Sequence, residues 1–339
     1  MLVRASRVRV GGRLLAHSTI LRVGDEQHRG LKPLLGVNVV AGVTGSGKTL
    51  LAEALWLGVA HTLNGLLRDE QFRNALVGAV RAYGVRPIDE EFTICVDDVE
   101  VPELERKICI KTEISGTKSK ITAPEDVVRN DELRRRLIYA LLHVISVPDK
   151  VKWRVVHALR EVADLSIPED GLQELCLATA VLVPPVAYEE PNRIYAPCYV
   201  NMLGVPRHSM SEAVSHGEVS YALFEATYEA ASRLSKLARE ELGVSVVPML
   251  YIDDAFEGLD GAKIRSLLSR EYDASIYAAT HRIEAGAYSA RNFLLTYGTR
   301  ASELVEQPPD FRFALVDAEL VEKHKEIFKD VSSKLLGAV

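Results

Sequence analysis

The sequence predicts an α/β fold: a parallel sheet built around a phosphate-type loop, with antiparallel strands beside it and a helical lobe inserted into it. Three observations lead there. Gly42-Val43-Thr44-Gly45-Ser46-Gly47-Lys48-Thr49 reads G-x-x-x-x-G-K-T, directly after the apolar run 37–41 and directly before a helix opening at 49–56. Three more apolar strands return late in the chain, at 246–252, 274–279 and 293–297. Between them, 92–96 and 107–114 alternate as an antiparallel pair, and apolar residues at helical spacing fill 126–183.

A chain of 339 residues has ample length for a buried core. Hydrophobic content of 47% beside 26% charged residues excludes a disordered chain. No run approaches about 18 uncharged apolar residues, so a membrane-crossing helix is not expected. The start Met1-Leu2-Val3-Arg4-Ala5-Ser6-Arg7 lacks the apolar core of a secretion signal, which leads us to expect the cytoplasm. A net charge of −6 argues against a strongly basic nucleic-acid surface and leaves room only for local patches. Cys95, Cys109, Cys176 and Cys198 form no C-x-x-C pair, so zinc is not suggested and single buried thiols are expected. Few Gln, Met and Cys beside many Glu and Arg lean towards a thermophilic composition.

Element by element, strands are expected at 3–10 and 14–23 around the Gly11-Gly12 turn, then at 37–41. A helix runs from Thr49 to about Leu67, and 71–83 continues helically. After the antiparallel pair, helical periodicity covers 126 to about 147, 151–162 and 171–183, closed by Pro184-Pro185. We read 124–190 as a helical lobe inserted in a single nucleotide-binding domain spanning 1–339. A short strand is expected at 193–203, although Pro197 interrupts it. A long helix at 219–241 places Leu223, Ala226, Ala230 and Leu234 on one face. A strand at 313–321 and a helix at 322–336 end the chain.

The loop after the first parallel strand carries the chemistry. Gly42, Thr44, Gly45, Ser46 and Gly47 would turn backbone N–H groups inward around phosphate oxygens, with the positive end of a helix dipole behind them. Lys48 would reach the β- and γ-phosphates, and the Thr49 hydroxyl would hold Mg²⁺. The implied cofactors are therefore ATP and Mg²⁺. Downstream, Met249-Leu250-Tyr251-Ile252-Asp253-Asp254 is an apolar strand ending in two acids. Asp253 is placed to bind Mg²⁺ through water, and Asp254 to polarise the attacking water.

Tyr251-Ile252-Asp253-Asp254-Ala255-Phe256-Glu257-Gly258-Leu259-Asp260 resembles the ABC-class ATPase pattern of apolar strand, D-E, spacer and L-D. Ile276-Tyr277-Ala278-Ala279-Thr280-His281-Arg282 resembles the strand and switch histidine of the same class, which implies that His281 contacts the γ-phosphate. Val214-Ser215-His216-Gly217-Glu218 resembles the signature element, in which Ser215 and Gly217 would bind the γ-phosphate of the opposite subunit. Ser215 with Glu218 also reads as a capping box, and the two roles are compatible. In this order and form the motifs look most like the SMC/RecF-type branch, which acts in chromosome maintenance and DNA repair.

The sequence departs from that pattern in five places. Asp254 stands where the family has Glu, and His216 stands where it has Gly. No Gln lies between Gln71 and Gln173, no aromatic residue stands out in the first strand to stack on adenine, and no long heptad stretch occurs.

The resemblance implies an ATP-gated clamp, with two subunits sandwiching two ATP molecules and DNA as partner. Arg7, Arg9 and the run Arg134-Arg135-Arg136 offer weak support for DNA, since such a run is more often a solvated helix face. Two readings compete with it. An ATP-binding subunit of a membrane transporter would need a Gln-containing docking loop. A non-hydrolysing ATP switch would follow from Asp254 and His216.

Overall fold

The structure is a computed structural model, and it describes residues 1–10, 13–42, 45–67, 88–96, 107–116, 118–149, 216–243, 245–289, 291–297 and 302–307. Among the described residues, twelve strands form one sheet. They are β1 (Leu2–Val10), β2 (Arg13–Val23), β3 (Glu26–His28), β4 (Gly36–Ala41), β5 (Ile88–Val96), β6 (Ile108–Ser115), β7 (Lys118–Thr122), β8 (Val144–Val147), β9 (Met249–Ile252), β10 (Ser275–Thr280), β11 (Arg291–Tyr297) and β12 (Ser302–Gln307). Their order is β7-β6-β5-β1-β2-β12-β11-β4-β10-β9-β8, with β3 paired to β2. The β7-to-β2 half is antiparallel. From β11 across β4, β10 and β9 to β8 every pairing is parallel.

Strict alternation along the parallel strands divides the core between two faces. Met249, Tyr251, Tyr277, Ala279 and Phe293 pack into the core that holds α1 (Lys48–Leu67) and α3 (Asp131–Leu142), the latter preceded by α2 (Glu125–Arg129). Leu250, Ile252, Ile276 and Ala278 pack on the opposite face with α4 (His216–Leu242) and α5 (Gly261–Leu268). The result is an α/β/α sandwich with an antiparallel wing, a P-loop NTPase fold.

Helix α1 is the one described helix long and apolar enough to cross a membrane, yet 83% of its most apolar window is buried. It crosses the inner face of the wing on small residues at helical spacing. A Cβ on Gly58 would strike the ring of Phe92, Thr62 Oγ1 lies 2.7 Å from Thr112 Oγ1, and a Cβ on Gly65 would strike Ile121. The apolar character of α1 therefore belongs to a core helix with sheet on both sides.

The strands expected at 3–10, 14–23 and 37–41, the antiparallel pair, the helix from Thr49, the late helix and the three late strands are all present, with ends shifted by a few residues. Two expectations are corrected. The helix expected to reach about Val147 ends at Leu142, and Val144–Val147 is a strand on the edge of the parallel sheet beside β9. Only His143 separates its apolar run from the helix, and periodicity cannot separate a short buried strand from a helix end.

Nor are Cys95 and Cys109 single thiols. They face each other across the β5–β6 pair and form a disulfide. β7 and β12 were not anticipated. The expectations for 71–83, 151–162, 171–183, 193–203, 313–321 and 322–336 fall outside the described residues, as do Cys176 and Cys198. On α4 the described buried residues are Gly217, Ser220, Phe224, Thr227, Ala231 and Ala238, whereas the side chains of Leu223, Ala226, Ala230 and Leu234 are not among those described.

Candidate functional site

Strand β4 delivers the chain into the loop at Gly42, and the loop closes tightly on itself. Gly45 and Gly47 adopt φ of 86° and 93°, backbone that only glycine takes without strain. A Cβ on Gly42 would strike the Ser46 hydroxyl, so that glycine is required by space as well. Lys48, only 5% exposed, donates from Nζ to the Gly42 carbonyl at 2.6 Å and to Ser46 Oγ at 3.4 Å. Helix α1 begins there, with Leu51 N–H donating to the Gly47 carbonyl at 2.8 Å. The loop is thus a backbone cradle with a buried ammonium at its floor, the donor set a polyphosphate requires. Val43 and Thr44 lie outside the described residues, so the expected role of Thr44 has no structural account.

Two neighbours brace the cradle. The Tyr251 phenol donates to the Lys48 carbonyl at 3.3 Å, and Ser146 Oγ on β8 donates to the Ala52 carbonyl at 2.8 Å. β10 separates β4 from β9, with Thr280 level with Ala41 and Ala278 level with Ile252. The loop, the strand ending in the acids and the strand ending in the histidine therefore open at one edge of the sheet. This is the carboxyl end of parallel strands, where α/β folds place ligands.

Asp253 is 2% exposed, and the Thr49 hydroxyl donates to its carboxylate. Asp149 N–H donates to Asp253 Oδ2 at 3.3 Å, and Asp253 N–H donates to the Val147 carbonyl at 3.0 Å. Burial pushes the Asp253 carboxyl up to about 6, opposed by the hydrogen bonds from Thr49 and Asp149 and reinforced by the Asp149 and Asp254 charges. Burial likewise pulls the Lys48 ammonium down to about 8, against the attraction of Asp253 and Asp254. Thr49 and Asp253 together supply the oxygen ligands a small hard cation takes, so the residues fit Mg²⁺.

Asp254 has φ of 48°, left-handed backbone that a non-glycine residue adopts only when its surroundings impose it. Ala255 N–H, bonded to the Ala279 carbonyl at 2.9 Å, ties that turn to β10. The carboxylates of Asp149, Asp254 and Glu257 come within 4.8 Å of one another. Sequence reading missed Asp149 and Glu257, because an acid in a loop carries no signal of what it faces. His281 follows Thr280 at the mouth of the site. Its pKa is lowered by burial and by the Lys48 charge and raised by Asp254, so it lies within electrostatic reach of both. The neutral imidazole is favoured.

Lys48, Thr49, Asp253, Asp254 and His281 thus lie within electrostatic or hydrogen-bonding reach of one another as a group. Of the signature element only the part from His216 onward is described. Ser215 lies outside the described residues. Gly217, in the first turn of α4, is buried against the backbone of Gly258 and Leu259, where a Cβ would strike the Gly258 carbonyl. Phe224 on α4 stacks on Phe256 with ring centroids 6.3 Å apart, so α4 is bound twice to the loop that follows β9.

Neither the family models nor the curated proteins include a match to this sequence. Similar solved structures exist. The chain is similar to Smc head domains. One, an Smc head bound to the C-winged helix domain of ScpA, shares 14% identity over 91% of this chain and 97% of that one, with a TM-score of 0.39. An Smc head with an extended coiled coil, from Pyrococcus furiosus and bound to the C-terminal domain of ScpA, shares 12% identity over 98% of each chain, with a TM-score of 0.40. The SMC head domain from Thermotoga maritima shares 11% identity over 90% of this chain and 98% of that one, with a TM-score of 0.36. Likenesses at this level say nothing of ligand, partner or reaction. The P-loop NTPase fold stands on the strand order and loop geometry described above.

The arginine run gains no support as a nucleic-acid surface. Arg134 pairs with Asp131 at 2.6 Å and Arg136 with Glu132 at 3.0 Å, both within α3, which leaves Arg135 as the exposed member.

Proposed function

We propose that the chain binds and hydrolyses ATP, and that two copies close on two ATP molecules as a clamp that hydrolysis reopens. The observation that carries this reading is the convergence of Lys48, Thr49, Asp253, Asp254 and His281 at one edge of the parallel sheet. Mg²⁺, when bound, neutralises charge on the β- and γ-phosphates. Thr49 and Asp253 would hold it, and the backbone cradle with Lys48 would hold the polyphosphate. Asp254 accepts a hydrogen bond from the attacking water and draws off its proton. Neutral His281 donates to a γ-phosphate oxygen. Ser215 and Gly217 would meet the γ-phosphate of the partner copy. Duplex DNA is the partner, as the motif resemblance implies.

Light scattering with and without Mg-ATP, beside a phosphate-release assay, tests the reading. The expected result is a nucleotide-dependent doubling of mass, trapped by Asp254→Asn, together with slow phosphate release. Unchanged mass removes the clamp. A doubled mass without phosphate release identifies a binding switch, consistent with the short Asp254 side chain. Filter binding of duplex DNA at low salt tests the partner, with ATP-dependent, salt-sensitive retention expected.

A further inference from the structure

His281 is followed by a residue to which no motif assigns a task. Arg282 begins a turn at the end of β10, and its N–H donates to Thr280 Oγ1 at 2.9 Å. Among the partners of its guanidinium is the main-chain carbonyl of Leu259, which accepts from Nη1 at 2.9 Å. Leu259 is 2% exposed, and its own N–H donates to the Phe256 carbonyl at 3.2 Å. The next residue, Asp260, caps α5, its Oδ1 accepting from Lys263 N–H at 2.8 Å. The preceding residue, Gly258, is the one on which Gly217 of α4 rests.

Arg282 therefore joins two elements that the chain separates by more than twenty residues. On one side is the strand end that presents His281 to the Lys48–Asp254 locus. On the other is the 255–260 turn, which carries the first turn of α4 on its back. A planar, permanently charged guanidinium holding a buried carbonyl is a directional link, one that a lysine ammonium reproduces only in part.

We propose that Arg282 is a positioning residue: it holds the 255–260 loop, and through it the start of α4, in register with His281. Contact of His281 with the γ-phosphate is thereby felt at the surface that meets a second copy. This rests on the ATPase reading above. Its specific content is that Arg282 governs turnover and closure rather than nucleotide binding, since the Leu259 carbonyl it holds lies on the 255–260 loop and not among the groups that would cradle the nucleotide.

The test compares wild type with Arg282→Ala, Arg282→Lys and Arg282→Gln by thermal melting, calorimetric Mg-ATP affinity, kcat and ATP-dependent mass. In Arg282→Ala we expect Mg-ATP affinity within about twofold of wild type and a melting temperature little changed. Its kcat should fall about tenfold or more, and mass doubling should need more protein. Arg282→Lys should recover part of both losses, as a single charged donor allows, and Arg282→Gln less. If wild type binds no ATP, the ATPase reading fails first. If wild type turns over and Arg282→Ala matches it in kcat and dimerisation, only the present proposal is overturned. A parallel loss of melting temperature and ATP affinity in Arg282→Ala, unrelieved in the Lys and Gln variants, would show a merely structural contact and overturn it too.

Discussion

The Thr49 hydroxyl donates to the carboxylate of Asp253, although 204 positions separate the two in sequence. The first turn of α1 and the end of β9 are thereby joined at the two residues that would hold Mg²⁺. The proton competes for the same carboxylate, because burial raises Asp253 to about 6. Between its unfolded value near 3.8 and about 6 the folded chain holds a proton that the unfolded chain has released. Stability of the nucleotide-free protein should therefore fall as pH rises through that window.

Mg-dependent ATP affinity should move oppositely, weakening about tenfold per unit below about pH 6 as the ionised fraction falls. Lys48, Asp149 and Asp254 act on the same carboxylate, so the apparent midpoint belongs to the group. Calorimetry across pH, with and without Mg²⁺, reads this directly. A flat profile in the presence of Mg²⁺ would remove Asp253 from the cation site.

Lys48 is expected to lower the stability of the free protein for the sake of its ligand. Its folded pKa of about 8 lies below the ordinary 10.5. Below about pH 8 both states carry the charge, and the folded state bears the net cost of burying it beside Asp253 and Asp254, on the order of 3 kcal/mol. Stability should rise between about pH 8 and 10.5, where the unfolded chain alone is protonated. Lys48→Met should accordingly abolish ATP binding while raising the melting temperature by roughly 3 °C or more. A destabilised variant, or one with near-normal ATP affinity by calorimetry, contradicts the assignment.

Much of this site was legible before folding because its chemistry fixes residue types. Only glycines fit at Gly45 and Gly47, only a long cation reaches from Lys48, and Asp253 must end an apolar strand. What stayed hidden depends on the backbone or on distance. Arg282 bonds to a main-chain carbonyl, which any residue at 259 would supply. Asp149 and Glu257 join Asp254 only once β8 is laid beside β9, and β8 itself was hidden because a single residue, His143, separates its apolar run from α3. The disulfide was hidden by register: nothing in the spacing of Cys95 and Cys109 says that they stand opposite on paired strands, and the expectation of a reducing compartment weighed against it.

That disulfide closes a chain segment with a sequence separation of 14. Cross-linking a loop of this size restricts the unfolded chain by about 3 kcal/mol in the loop-entropy account. Reductant, or paired Cys95→Ser and Cys109→Ser replacement, should lower the melting temperature without altering Mg-ATP affinity, since neither cysteine is near Lys48 in the sheet order. Mass spectrometry under native conditions, with and without thiol alkylation, checks the bond itself. Two alkylated cysteines at 95 and 109 before reduction would remove it.

Gly217 offers a different handle, because it lies in the first turn of α4 against the 255–260 loop. The carbonyl that an added Cβ would meet belongs to the Gly258 backbone, which cannot rotate aside as a side chain would. Gly217→Ala must therefore push the first turn of α4 off the 255–260 loop, and the loop is held in place by the Asp260 cap and the Arg282 bond. Overpacking of this kind costs about 1–3 kcal/mol. Distant packing through Phe224, Phe256 and Tyr272 should keep α4 folded.

A displaced helix start would no longer present its N–H groups to the γ-phosphate of a second copy. We therefore expect Gly217→Ala to bind Mg-ATP as a monomer with near-wild-type affinity and to fail to double its mass. Light scattering paired with calorimetry separates the two effects. Normal ATP-dependent dimerisation in this variant would mean that the first turn of α4 takes no part in the interface.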